Sequence, residues 1–159
     1  MSAVPILDPF EAYALWAASY PAHAHNPVMQ AEQRAMLALL PPALHGQRVL
    51  DAGCGSGRYL LHALQRHAAH ATGVDLSPQM LGRAARELDA AGAGNRYTLR
   101  EGSLDALPVA DAEADLSICA LVVGHLPQLL PALAELHRVT RPGGSVLCSD
   151  VHPIGHALG

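Results

Sequence analysis

Val49-Leu50-Asp51-Ala52-Gly53-Cys54-Gly55-Ser56-Gly57 is the stretch of this 159-residue chain best suited to hold a ligand. An apolar run ends in an acid, and three glycines then alternate ahead of a helix-forming segment. Without a Cβ the backbone can turn sharply and a ligand can approach it closely. The helix that follows would offer free N–H groups and the positive end of its dipole. A glycine-rich turn alone also serves any tight strand-to-helix connection, and two carboxylates narrow the reading. Dinucleotide-binding turns are written GxGxxG and pack a pyrophosphate against the turn. Here the spacing is GxGxG, and Asp51 stands two residues before Gly53. A carboxylate there opposes a pyrophosphate and suits a ligand that carries an ammonium group. The second acid is Asp75, closing the next apolar run in Gly73-Val74-Asp75-Leu76-Ser77. A carboxylate at that point accepts hydrogen bonds from both hydroxyls of a ribose. NAD-binding proteins place an acid similarly, so Asp75 does not separate the two ligands. Its alternative role, capping the next helix, already falls to Ser77.

These residues need strands that end together and helices that begin there. Val49–Asp51, Ala71–Asp75, Asp115–Leu121 and Ser145–Asp150 read as short, largely apolar strands, as buried parallel strands do. Arg96–Arg100 is a weaker strand, with Tyr97 and Leu99 alternating with polar neighbours. Helices fall between them. Arg58–His67 follows the first strand, and the next helix starts at Ser77-Pro78, an N-cap and first helical position, and ends near Gly92. A third helix is expected from Pro131 to Val139, since an earlier start would place the proline inside it. Arg141-Pro142-Gly143-Gly144 should then turn the chain into the last strand. The alternation predicts an α/β fold: a doubly wound, mainly parallel, Rossmann-like sheet flanked by helices. Upstream, Asn26 to Leu40 patterns as another helix. Tyr13, Trp16 and Tyr20 stand three and four residues apart, either as a stripe packed on the core or as a lid over the ligand. The division expected is a helical cap over residues 1–45 and a binding core over 46–159.

Taken in order, Val49–Gly57, Gly73–Leu81, Leu107–Leu126 and Arg138–Asp150 resemble the successive motifs of class I S-adenosylmethionine-dependent methyltransferases. The chain is most similar to the subgroup resembling the ubiquinone and menaquinone biosynthesis C-methyltransferases, the type 11 methyltransferases. The resemblance runs from about Tyr13 through nearly the whole chain. It implies S-adenosyl-L-methionine as cofactor and a cytoplasmic enzyme that methylates a small molecule by direct displacement. It also implies that Asp51, Gly53, Cys54, Gly55 and Gly57 line the methionine end, that Asp75 holds the ribose, and that Leu76 and Met80 flank the adenine. Gly102-Ser103-Leu104 falls where the family has Gly-Asp-Ala at the adenine amino group. Ser103 replaces that aspartate, with Asp105 two residues on. Tyr20 matches the N-terminal Tyr-Asp segment that closes over the cofactor, although Pro21 takes the aspartate's place. Of two adjacent family histidines at the acceptor end, only His125 remains, with Gly124 in the first position. His125 is the one candidate base, or else a cap on the next helix.

Composition removes several other classes. Half the residues are hydrophobic and 15% are charged, which supports a packed core, and the net charge of -4 offers no field for nucleic acid. No apolar run is long enough to cross a bilayer, and Met1–Phe10 carries no basic stretch ahead of an apolar one. Three cysteines without ligand spacing suit a reduced compartment. His23 with His25, and His152 with His156, lack partners to complete a metal site, so no metal is expected. Two rivals remain. One is an NAD(P)-binding oxidoreductase domain, opposed by Asp51, by the GxGxG spacing and by the absence of any lysine. The other is a module that binds the cofactor without catalysis or is completed by a partner. The family sheet has the order 3-2-1-4-5-7-6, and a final antiparallel pair is not legible here. Ser145–Asp150 should therefore be an open edge through which the chain pairs with itself or with another chain.

Overall fold

A computed structural model describes residues 9–151. The elements in chain order are α1 (Pro9–Trp16), α2 (Pro27–Leu39), β1 (Arg48–Ala52), α3 (Arg58–Gln65), β2 (His70–Asp75), α4 (Pro78–Ala90) and β3 (Tyr97–Glu101). They continue with β4 (Ala114–Ala120), a short 3-10 turn (Val123–His125), α5 (Leu129–Val139) and β5 (Thr140–Ser149). All five strands run parallel in the order β3-β2-β1-β4-β5. The chain thus winds outward from β1 to β3, then crosses back to lay β4 on the other side of β1. That reversal opens a crevice at the carboxyl ends of β1 and β4, where open α/β sheets bind ligands.

The apolar runs are strands because both faces of the sheet are covered. On one face Met36, Leu40, Val49, Tyr59, Leu116 and Ile118 form a core beneath α2 and α3. On the other, Leu50, Ala52, Cys119, Ala132, Leu136 and Val139 form a core beneath α5. Alternation along β1 puts Val49 in the first core, Leu50 in the second and Asp51 back on the first side. Helix starts follow local chemistry. Asn26 accepts from the Met29 amide at 2.9 Å, Ser77 accepts from the Met80 amide at 3.3 Å, and a proline opens both α2 and α4.

Helix α3 stops at Gln65, two residues short of the expected end, and two other boundaries differ from expectation. Helix α5 begins at Leu129, so Pro131 lies in its first turn. The N–H groups of a first turn have no intrahelical acceptor, and a proline there removes no bond. The Arg141–Gly144 segment does not precede β5 but lies within it. Ala114 pairs with Thr140 and Leu116 with Ser145, so residues 141–144 bulge out of a ladder that starts where α5 stops. Gly143, at φ 77°, makes the bulge, and a Cβ on Gly144 would sit 2.7 Å from the Asp115 carbonyl oxygen. Among the described residues no helix is long and apolar enough to cross a membrane.

Candidate functional site

The crevice is a cavity of about 1080 Å³ at the carboxyl ends of β1, β2, β4 and β5. Its volume lies just above the usual range for a small-molecule site, roughly 300–1,000 Å³. The glycine loop forms its floor. Gly53 has φ 78°, and a Cβ there would lie 2.6 Å from Val122 Cγ2, so the loop and the segment after β4 can meet only through a glycine. Gly57, at φ 84°, caps α3, and a Cβ there would press on Ala84 of α4 at 3.2 Å. Gly57 shapes the loop from behind and does not line the cavity.

Asp51 is only 2% exposed, yet it borders the cavity. No described residue hydrogen-bonds its carboxyl. Burial pushes it up to about 7, opposed by the Arg58 guanidinium and assisted by Asp75 and Glu32. Asp75 is differently supported. One oxygen accepts from the Gly55 amide at 2.8 Å and the other from the Ser77 amide at 2.9 Å. Burial raises its pKa, and those amides, with that of Leu76, hold it down. The carboxylate therefore ties the glycine loop to the end of β2 and still faces the cavity. Leu76 stands beside it, 51% exposed, and Met80 lies buried behind. Ser103 and Leu104 border the same end, and the Ser103 hydroxyl donates to Asp105.

The opposite end is made by the chain leaving β4. Leu121 has φ 58°, a left-handed conformation uncommon for leucine, and its amide donates to the Ser149 carbonyl at 2.8 Å. The turn carries Val122 to His125 across the cavity. His125 caps no helix. Gln128 is the N-cap of α5, and the His125 ring meets Tyr13 edge-on at 5.9 Å. The Gly124 amide donates to the Asp150 carboxylate, which a side chain at 124 would crowd at 3.1 Å.

The aromatic stripe divides. Tyr13 and Tyr20 line the cavity and pack edge-to-face at 5.8 Å, whereas Trp16 leans on Tyr13 from outside and is 55% exposed. Burial raises both tyrosine hydroxyls, with Asp75 and Asp150 adding to the rise at Tyr13. The Ser56 hydroxyl donates to the Pro21 carbonyl at 3.2 Å, so the Tyr20-Pro21 segment is pinned to the glycine loop despite the missing aspartate. His25 packs edge-on against Tyr20 at 5.3 Å, and among the described residues no cluster of three or more ligating side chains could hold a metal. His152 and His156 lie outside the described residues.

Thus Asp51, Gly53, Cys54, Gly55, Asp75, Leu76, Met80, Ser103, Leu104, Tyr20 and His125 meet around one cavity. Sequence reasoning missed Glu32. Its carboxylate, 7% exposed, accepts from Arg58 Nη2 at 2.9 Å, from the Tyr59 hydroxyl at 2.8 Å and from the Ser149 hydroxyl at 2.7 Å. One acid thereby joins α2 to the start of α3 and the end of β5, fixing Asn26 to Met29 as a wall of the cavity. Nothing in its local sequence marks it. Asp150, facing Gly124, was read only as the end of a strand.

The model of the methyltransferase domain matches residues 49–144, well over half of the chain. The chain belongs to the methyltransferase domain family. It is 42% identical over 106 residues to a malonyl-[acyl-carrier protein] O-methyltransferase of Serratia marcescens, covering 67% of this chain and 39% of that protein. A ubiquinone/menaquinone biosynthesis C-methyltransferase of Bartonella bacilliformis is 32% identical over 114 residues, covering 70% and 44%. Among solved structures, an S-adenosylmethionine-dependent methyltransferase of Mesorhizobium loti superimposes with a TM-score of 0.69 at 33% identity, covering 78% of this chain and 55% of that one. This methyltransferase-family chain spans about half the length of the curated relatives it matches. Family and neighbours together imply S-adenosylmethionine as its cofactor.

Proposed function

We propose that this chain binds S-adenosylmethionine through the cavity residues named above and supports methyl transfer to a small-molecule acceptor by direct displacement. The observation that carries the reading is Asp51: a buried carboxyl at the cavity floor that no described residue hydrogen-bonds. Its oxygens are left to the cavity, and an ammonium group is a partner they fit. Asp75 faces the same space and would take the ribose hydroxyls, while exposed Leu76 and buried Met80 would flank the adenine.

When bound, the cofactor supplies an activated methyl on a sulfonium. The protein's task is then to position, orient and exclude water. Tyr13 and Tyr20 close the mouth above the glycine loop, and Val122 and Leu126 give the acceptor end apolar walls. His125, which lines the cavity, would take a proton from an acceptor that must lose one. One relative is named for O-methylation of malonyl-acyl carrier protein and another for C-methylation in ubiquinone and menaquinone biosynthesis, which supports a small acceptor. The same reading includes a cytoplasmic location, no nucleic-acid partner, and self-association through the β5 edge, where Val146 is 41% exposed. It also treats residues 1–45 as the cap and 46–159 as the binding core. A radiolabelled methyl-transfer assay over a panel of small carboxylic acids, phenols and amines tests the activity. Methyl transfer to one acceptor class, lost in Asp75→Ala, supports it, and an inert chain that still binds S-adenosylhomocysteine confines the role to binding.

A further inference from the structure

Outside the cavity, the described residues hold one pair of reactive side chains on facing backbone positions. Cys119 of β4 and Cys148 of β5 are direct partners in the parallel ladder. Paired residues on neighbouring strands point to the same face and their backbones lie about 4.8 Å apart. That separation is within the span of Cα atoms joined by a disulfide, about 4.4–6.8 Å. The environments of the two thiols differ. Cys119 is fully buried beneath α5, and Cys148, on the edge strand, is exposed to solvent.

We propose that Cys148 and Cys119 form a reversible disulfide across the β4–β5 ladder when the protein meets a peroxide. The roles follow from exposure. Cys148, which solvent can reach, is attacked first, and Cys119 beneath it resolves the product. The pairing reinforces this assignment: the neighbouring Cys119 thiol lowers the pKa of the Cys148 thiol, against burial and the Asp150 charge. The same pairing, with burial, pushes the Cys119 thiol far up. In the first step the Cys148 thiolate forms an S–O bond with the peroxide as the O–O bond breaks, and the proton released on forming the thiolate returns to the leaving oxygen, giving a sulfenic acid and an alcohol, or water from hydrogen peroxide. In the second, the Cys119 sulfur attacks the Cys148 sulfur, and the hydroxyl leaves as water with the Cys119 proton. Two thiols and one peroxide become one disulfide, one alcohol and one water. Two electrons pass from sulfur to oxygen. Strand β4, held between β1 and β5, resists the adjustment a disulfide requires, so a dithiol should reduce the bond readily. Its place matters because Leu121, two residues past Cys119, and Asp150, two past Cys148, both line the cavity.

The third thiol is an internal control. Cys54 is buried, and burial pushes it well up, so it should stay reduced. The test treats the reduced chain with one equivalent of hydrogen peroxide, counts free thiols and maps peptides without reduction. Thiols counted after denaturation should fall from the three of the sequence to one. A Cys119–Cys148 peptide lighter by about 2 Da, restored by dithiothreitol, is the expected product. Cys148→Ser, an exposed edge change that leaves the core intact, should keep both remaining thiols. A sulfinic acid at Cys148 with Cys119 free, a Cys148-linked dimer, or three unreacted thiols would each overturn the proposal.

Discussion

Replacing Asp51 with asparagine should make the ligand-free protein more stable at mildly alkaline pH while weakening its hold on the cofactor. Folding carries this carboxyl from 3.8 to about 7, chiefly through burial. A carboxyl whose pKa rises on folding contributes most stability below its unfolded value and loses it as pH climbs to the folded value. The loss is complete above about 7. At about 1.36 kcal/mol for each pKa unit, the full penalty is on the order of 4 kcal/mol, a large part of a domain's net stability. The neutral amide escapes it. Urea unfolding of wild type and Asp51→Asn at pH of about 8 should therefore show the variant more stable by roughly 2–4 kcal/mol, and at pH of about 5 the gap should shrink to less than half. Calorimetry on the same samples should show weaker S-adenosylhomocysteine binding. A variant of unchanged stability at the higher pH, or the same increment at both, would refute the argument that a buried, titrating carboxyl is kept there for a ligand.

Asp75→Ala should weaken S-adenosylhomocysteine by roughly 1–3 kcal/mol in calorimetry, since a ribose would lose its charged acceptor and the Gly55 amide its partner. Equal affinity in the variant would assign the ribose to another group. Gly53→Ala should destabilise the fold by about 1–3 kcal/mol in thermal unfolding, because φ 78° and the 2.6 Å approach to Val122 both reject a Cβ; an unchanged midpoint would contradict the close approach. Trp16 leans on Tyr13 at the cavity mouth, so S-adenosylhomocysteine should change its fluorescence; no change, with full affinity in Tyr20→Ala, would return the stripe to ordinary packing. Sedimentation of the 159-residue chain should show self-association through β5, and a stable monomer would show that the edge is blunted.

What was legible in the sequence shares a physical basis. Buried parallel strands are continuous apolar runs, and β1, β2 and β4 were read to within about a residue for that reason. Asp51 and Asp75 stood out because an acid at the end of an apolar run has no packing role. The start of β5 was not legible, because Pro-Gly-Gly signals a turn whether the turn precedes a strand or bulges from one. Pro131 misled because a proline is excluded from a helix interior but not from its first turn. The Glu32 network lay beyond reach: Glu32 and Ser149 are 117 residues apart, and only the folded sheet brings them together. His125 carries two readings in the sequence, helix cap or candidate base, and only the position of Gln128 at the start of α5 removes the first.

We propose that the cavity at the reversal of this sheet takes S-adenosylmethionine through the Asp51 and Asp75 carboxylates. Calorimetric titration of the chain with S-adenosylhomocysteine and, separately, with NAD tests it most directly. The expected result is saturable one-to-one binding of the adenosyl ligand, weakened in Asp51→Asn and in Asp75→Ala, and no binding of NAD. Saturable NAD binding with no response to S-adenosylhomocysteine would contradict it.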